Sequence, residues 1–166
     1  MTGHRPELGF YALRGHLRDP RPLLDEARRA EAIGLGSLWL SERFDVKDLA
    51  VLCGAAAAVT SRLGVATGVI NPQTRSLPVL ASMGATLQTL SGGRFTMGFG
   101  RAFSWQWDRW GLPQVSAARL EETVTLLRRL WAGERIEADT AFHGSLRGAS
   151  IGFELERPPP LFLAAL

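Results

Sequence analysis

Short apolar runs alternate with amphipathic helical segments four times along this chain, at a period of roughly 30 residues, and that rhythm restricts the fold more than any other feature. Residues 8–13 (LGFYAL) are predicted to form a strand. Asp19 offers an N-cap with Pro20 at the first helical position. Leu23, Leu24, Ala27, Ala30 and Ile33 then share one face, and Gly34 ends the helix. The unit recurs as a strand over 37–40 and a helix over 46–60, capped by Asp45 with Asp48 three residues on. A strand over 63–70 precedes a helix over 77–90, capped by Ser76 and stopped by Gly92-Gly93. A strand over 94–100 precedes a helix over 117–132, capped by Ser116 and stopped by Gly133. The glycines and short apolar pieces of 142–153 break the rhythm and predict a small β excursion, and Pro158 to Pro160 lead into a fifth strand over 161–166.

Repeated βα units imply a parallel sheet with right-handed helical crossovers, either open and doubly wound or closed as a barrel. A full eightfold barrel takes about 250 residues. The 166 residues here hold four units and the start of a fifth. If the architecture is a barrel, it is expected to be the N-terminal half of one, a single α/β domain over 1–166 truncated after its fifth strand. Its outer strands would carry unpaired backbone groups.

Several function classes fall away on composition. The net charge of +3 and the pI near 10 suggest a nucleic-acid binder, but 18 of the 19 basic residues are arginines. They are interleaved with acids, as in Arg28-Arg29 beside Glu26 and Glu31, which describes solvated helix faces and not a phosphate-tracking stripe. The single cysteine, Cys53, excludes an internal disulfide and a cysteine-based zinc site, and it is expected to be buried and inert in an alanine-rich helix. The histidines at 4, 16 and 143 are too dispersed to suggest a metal site or a triad. The longest apolar run, 49–59, is shorter than the roughly 20 residues of a membrane span. Residues 1–7 lack the apolar core of a secretion signal, so a cytoplasmic protein is expected.

Ligands of parallel α/β folds bind at the C-terminal ends of the strands, which directs attention to four segments. These are Arg14-Gly15-His16, Ser41-Glu42-Arg43-Phe44, Gly68 through Arg75, and Gly98 through Phe103 with Trp105, Trp107 and Trp110 beyond. Gly68 marks either a close approach of ligand or backbone, or a packing glycine in a crowded interior. Glu42 and Arg43 read either as a loop ion pair or as site groups, with Glu42 the one nearby carboxylate suited to acid/base work. Arg43 is always protonated and suited to an anion or to developing negative charge. The tryptophans either line a flat aromatic ligand or cover the mouth. Gly98-x-Gly100 does not complete a dinucleotide fingerprint, because Phe103 stands at the third glycine position.

Taken together, Ser41-Glu42-Arg43-Phe44, the segment Ala66 to Pro72 (ATGVINP), the segment Leu90 to Gly100 (LSGGRFTMGFG) and Leu126 to Glu134 (LLRRLWAGE) followed by Phe142-His143-Gly144 resemble the bacterial luciferase-like oxidoreductases. Within them the pattern is most similar to the deazaflavin-dependent branch. The resemblance implies a TIM barrel with coenzyme F420, or FMN, at its C-terminal mouth. It implies a non-proline cis peptide at Gly68-Val69 against the central ring, with Asn71 and Glu42 near the pyrimidine edge or the substrate. Gly100 and Arg101 would lie beside the cofactor. It departs from relatives acting on sugar phosphates or alcohols, which carry an acid–histidine pair where Glu42-Arg43 stands here and an acid where Phe103 stands. The expected function is hydride transfer between F420 and a small organic substrate, with Glu42 and Arg43 as catalytic candidates. Gly68, Val69, Asn71, Gly100 and Arg101 are the cofactor-binding candidates, and no metal is expected. FMN-dependent monooxygenation on the same fold is the first alternative. A catalytically silent half-barrel serving as an interaction module is the second, and a homodimer is expected in either case.

Overall fold

The computed structural model describes residues 5–15, 19–43 and 45–164. Five strands form one parallel sheet in the order β1 (Arg5–Tyr11), β2 (Leu35–Leu40), β3 (Gly64–Thr67), β4 (Phe95–Phe99) and, beside β4, Leu161–Leu163, which is β7 in chain order. The sheet curls into a half-barrel. Of the two architectures open to the βα rhythm, the barrel type is the one adopted. Helices α1 (Pro22–Ala32), α2 (Leu49–Ala58), α3 (Leu77–Leu90) and α5 (Ala117–Trp131) cover the convex side, and a short α4 (Ser104–Trp110) follows β4.

Strand alternation sorts the side chains. Leu38 and Leu40 of β2 and Phe95, Met97 and Phe99 of β4 are buried together with Leu52, Cys53 and Ala56 of α2 and Leu80, Ala81 and Leu87 of α3. Ser37 and Trp39 point the other way, and Trp39 donates its indole N–H to Ser37 Oγ at 2.9 Å. Trp39 meets Phe162 edge-on with ring centres 5.1 Å apart. Both rings fit because Gly68 and Gly98 lack a Cβ: one added at Gly98 would lie 2.1 Å from Phe162 and one at Gly68 would lie 3.2 Å from Trp39.

Two side chains tie the lower end of β3, the end away from the strands' C-termini. Glu31, in the last turn of α1, accepts the backbone N–H groups of Ser61, Arg62 and Leu63 at 2.6 to 3.1 Å. Partial burial opposes its charge, but these donors outweigh burial and hold its pKa at about 2. Arg94, just before β4, donates to the carbonyls of Ala57, Thr60, Leu63 and Ser91, so one guanidinium caps α2 and joins it to β3 and to the end of α3.

Ser76 and Ser116 stand at the N-caps of α3 and α5 as the sequence suggests, and Ser116 Oγ accepts from Arg119 N–H. Two other helix starts move. The cap of α2 is Asp48, which accepts from Val51 N–H, and not Asp45. The reason lies in residues 43–47. The Arg43 carbonyl takes the N–H groups of Val46 and Lys47 in a tight turn, and Lys47 Nζ donates to the Leu13 carbonyl at 2.7 Å. Helix α1 begins at Pro22 and not Pro20, because Asp19 is engaged by the backbone and guanidinium of Arg21. β1 starts at Arg5, earlier than expected, with a register irregularity between Arg5 and Gly9. The β excursion expected over 142–153 lies earlier: a short antiparallel pair, β5 (Asp139–Thr140) with β6 (Gly144–Ser145), is closed by the Ile136–Ala149 bridge. His16, Phe44 and residues 165–166 of the expected fifth strand lie outside the described residues.

Candidate active site

The regular part of β3 stops at Thr67, and the Gly68-Val69 peptide that follows is cis. The chain then resumes contact with β4: Ile70 N–H donates to the Gly98 carbonyl and Gly100 N–H to the Ile70 carbonyl. This places Val69 at the C-terminal rim of the sheet, in a concavity of about 260 Å3. Gly68, Val69 and Asn71 reach it from β3, Gly100 and Arg101 from β4, and Glu42 and Arg43 from β2. All seven candidate residues therefore converge on one place, although nearly sixty positions separate Glu42 from Arg101 in the sequence. The lining also includes Tyr11, Ser41, Ala102, Gln106 and Ala164. Of these, Ser41 carried a positional signal, the end of a strand. Tyr11 and Gln106 carried none, since one sits in an ordinary apolar strand and the other in a helix the sequence did not announce.

The floor is tightly fitted. A Cβ at Gly100 would stand 2.4 Å from Val69 Cγ2, so only glycine lets β4 close on that side chain. Ala102 takes the left-handed conformation at φ 62°, which turns the chain out of β4 toward Phe103.

Glu42 is placed otherwise than a free acid/base group. Its side chain is 1% exposed. The carboxylate accepts from Asn71 N–H at 2.9 Å and from Thr74 Oγ1 at 3.2 Å, and it pairs with Arg75. Arg75 also pairs with Asp48, the α2 cap, at 2.8 Å. Burial works against the charge on Arg75, but the carboxylates of Glu42 and Asp48 more than offset it and raise its pKa. The Glu42–Arg75–Asp48 chain thus fixes the segment carrying Asn71 to the end of β2 and to the start of α2. The sequence placed Arg75 at the end of the Gly68 to Arg75 segment but gave it no role, because nothing local pairs it with Glu42 or Asp48.

Arg43 is differently disposed. One guanidinium nitrogen donates to the Glu42 carbonyl at 3.1 Å, and the group lies on the concavity lining. Its charge, together with burial, pushes the Lys47 pKa down, burial being the larger cause. Among the described residues no cluster of histidine, cysteine, aspartate and glutamate could hold a metal ion. No helix among them is long and apolar enough to cross a membrane.

The concavity lies at the C-terminal ends of the strands, where parallel α/β folds bind small molecules. The chain belongs to the luciferase-like monooxygenase family, whose sequence model matches residues 2–166. It is 35% identical over 159 residues to an F420-dependent glucose-6-phosphate dehydrogenase of Beutenbergia cavernae, an alignment spanning 88% of this chain and 47% of that protein. In structure it is similar to an F420-dependent secondary alcohol dehydrogenase bound to an F420–acetone adduct, with TM-score 0.80, 23% identity and coverage of 93% of this chain and 51% of that one. It is also similar to the FMN-bound oxygenating component of a type II Baeyer–Villiger monooxygenase from Pseudomonas putida, with TM-score 0.76, 15% identity and coverage of 93% and 50%. At these identities the two solved structures bear on the fold alone. The chain spans about half the length of the curated relatives it matches.

Proposed function

We propose that this chain contributes the ring-binding half of an F420-dependent oxidoreductase acting on a small organic substrate. The observation that carries the reading is the floor: one aliphatic side chain, Val69, flanked by the bare backbones of Gly68 and Gly100 and bordered by Ser41, Asn71, Arg43 and Arg101. A flat heterocycle needs an apolar face to lie on and polar groups at its edge, and this floor supplies both. The residues present therefore fit a deazaflavin ring. When bound, F420 would supply two-electron hydride transfer. Val69 supports one face and keeps water from it. Asn71 borders the ring's polar edge and is held there by the Glu42 carboxylate on its backbone N–H. We assign Glu42 this anchoring role in place of acid/base work, because its oxygens are already taken. Arg43 and Arg101 hold positive charge at the rim, where an anionic group or developing negative charge is stabilised.

Absorbance titration of the purified chain with F420 and with FMN tests this reading. Saturable uptake of F420, lost in Val69→Asp, is expected. Uptake of FMN alone would favour oxygenation, and uptake of neither would refute the assignment. Self-association is part of the same proposal. Among the described residues β1 and β7 each pair with one strand only, and open edges invite a second copy. Sedimentation equilibrium is expected to show a dimer.

A further inference from the structure

Beside the concavity lies a second cleft of about 220 Å3, formed where α4 stands over the loop after β2. The two share Arg43, Phe103 and Gln106, so they are immediate neighbours. Three features set the second cleft apart. First, α4 buries none of its residues, and Phe103, Trp105 and Trp110 are about half exposed, at 57%, 57% and 50%. Large aromatic side chains gathered at a surface next to a ligand site mark a contact face. Second, the lining carries two guanidiniums, Arg43 and Arg109, against one carboxylate, Asp45, and Arg101 stands at the shared rim. Among the described residues none of these three arginines has a carboxylate within ion-pair distance, whereas Arg75 has two. Third, the cleft is smaller than the roughly 300 Å3 at which drug-sized pockets begin, which suits a molecule of one or two rings.

We propose that this cleft is the substrate side of the site and takes a planar aromatic acid, its ring against Trp105 and Phe103 and its carboxylate toward Arg109 and Arg43. The inference rests on the reading of the neighbouring concavity as the cofactor side. The chemistry selects this class over its neighbours. A sugar phosphate satisfies the arginines but leaves the aromatic faces against hydroxyls. A neutral arene satisfies the aromatics but leaves both guanidiniums without an anion. Only a ligand with both features uses the whole lining, and a planar ring on an aromatic face beside arginine also gains from stacking.

Calorimetric titration of the chain with 2-naphthoate, 2-naphthylmethanol and glucose 6-phosphate tests it. The acid is expected to bind at least about tenfold more tightly than either of the others, a difference of the size one charge-assisted hydrogen bond supplies. Arg109→Gln is expected to bring the acid down to the level of the alcohol. Trp105→Ala is expected to weaken acid and alcohol alike, and Trp105→Phe to restore both. Arg109 and Trp105 are exposed, so these variants are expected to keep the circular dichroism of the parent. Equal affinity for acid and alcohol, tighter binding of glucose 6-phosphate, or indifference to both substitutions overturns the proposal. The F420 and FMN titrations separate the two readings. Naphthoate binding without uptake of either cofactor refutes the cofactor assignment and leaves the aromatic-acid cleft standing. Cofactor uptake without naphthoate selectivity overturns the cleft alone.

Discussion

Glu31 offers a quantitative test of how this half-barrel is held together. Its carboxylate receives three consecutive backbone N–H groups from the turn between α2 and β3, and its pKa falls from 4.5 to about 2. A depressed folded-state pKa means that the unfolded chain binds the proton more readily. The stabilisation is therefore complete above the unfolded value and is lost as pH falls from about 4.5 toward 2. At about 1.4 kcal/mol per pKa unit the full linkage would be ~3.5 kcal/mol. The carboxylate keeps some contact with solvent, which reduces this to about 1–2 kcal/mol. Glu31→Gln keeps the shape and removes the charge. Urea denaturation of both proteins is expected to differ by that amount near neutral pH, and thermal midpoints by about 2–8 °C. The difference should shrink through the acidic range and vanish near pH 2. A gap that persists unchanged down to pH 2.5, or no gap at pH 7, would refute the claim that these three donors set the stability of the turn.

Three further outcomes are expected. Arg75→Met leaves the Glu42 carboxylate buried without its cation and should cost about 3–5 kcal/mol in urea denaturation, while adding Glu42→Gln to it should recover most of the loss. Gly100→Ala drives a methyl group into Val69 and should cost about 1–3 kcal/mol and weaken F420 uptake in the absorbance titration, whereas Gly54→Ala, whose new methyl meets only Leu87 at 3.9 Å, should leave uptake unchanged. Cys53 is fully buried, and burial pushes its thiol up to about 12, so iodoacetamide at mildly alkaline pH should label it only after unfolding in urea.

The sequence revealed what local chemistry determines. Helix faces, the positions of Ser76 and Ser116 ahead of α3 and α5, and the alternation of strands with helices follow from spacing and from single residues at helix starts. What it concealed depends on partners far along the chain. Asp45 and Asp48 are equally good caps in isolation, and the choice between them is made by Lys47 reaching back to the Leu13 carbonyl. Helix α4 has no buried face, so no periodic apolar pattern could announce it; Gly111 in the left-handed conformation ends it and Gln106 Oε1 accepts the Phe103 N–H at its start. The candidate site shows the same division. Glu42 was legible as a carboxylate in the right place. That its oxygens are taken by Asn71, Thr74 and Arg75 follows only from the approach of a loop about thirty residues later.

Glu31 and Arg94 lock the helices to β3 at the end of the sheet opposite the mouth. The fasteners and the chemistry thus occupy separate storeys of the same building. Changes to the aromatic and arginine wall above leave those lower joints untouched, so such a scaffold can be re-tooled for a new reactant without first being rebuilt.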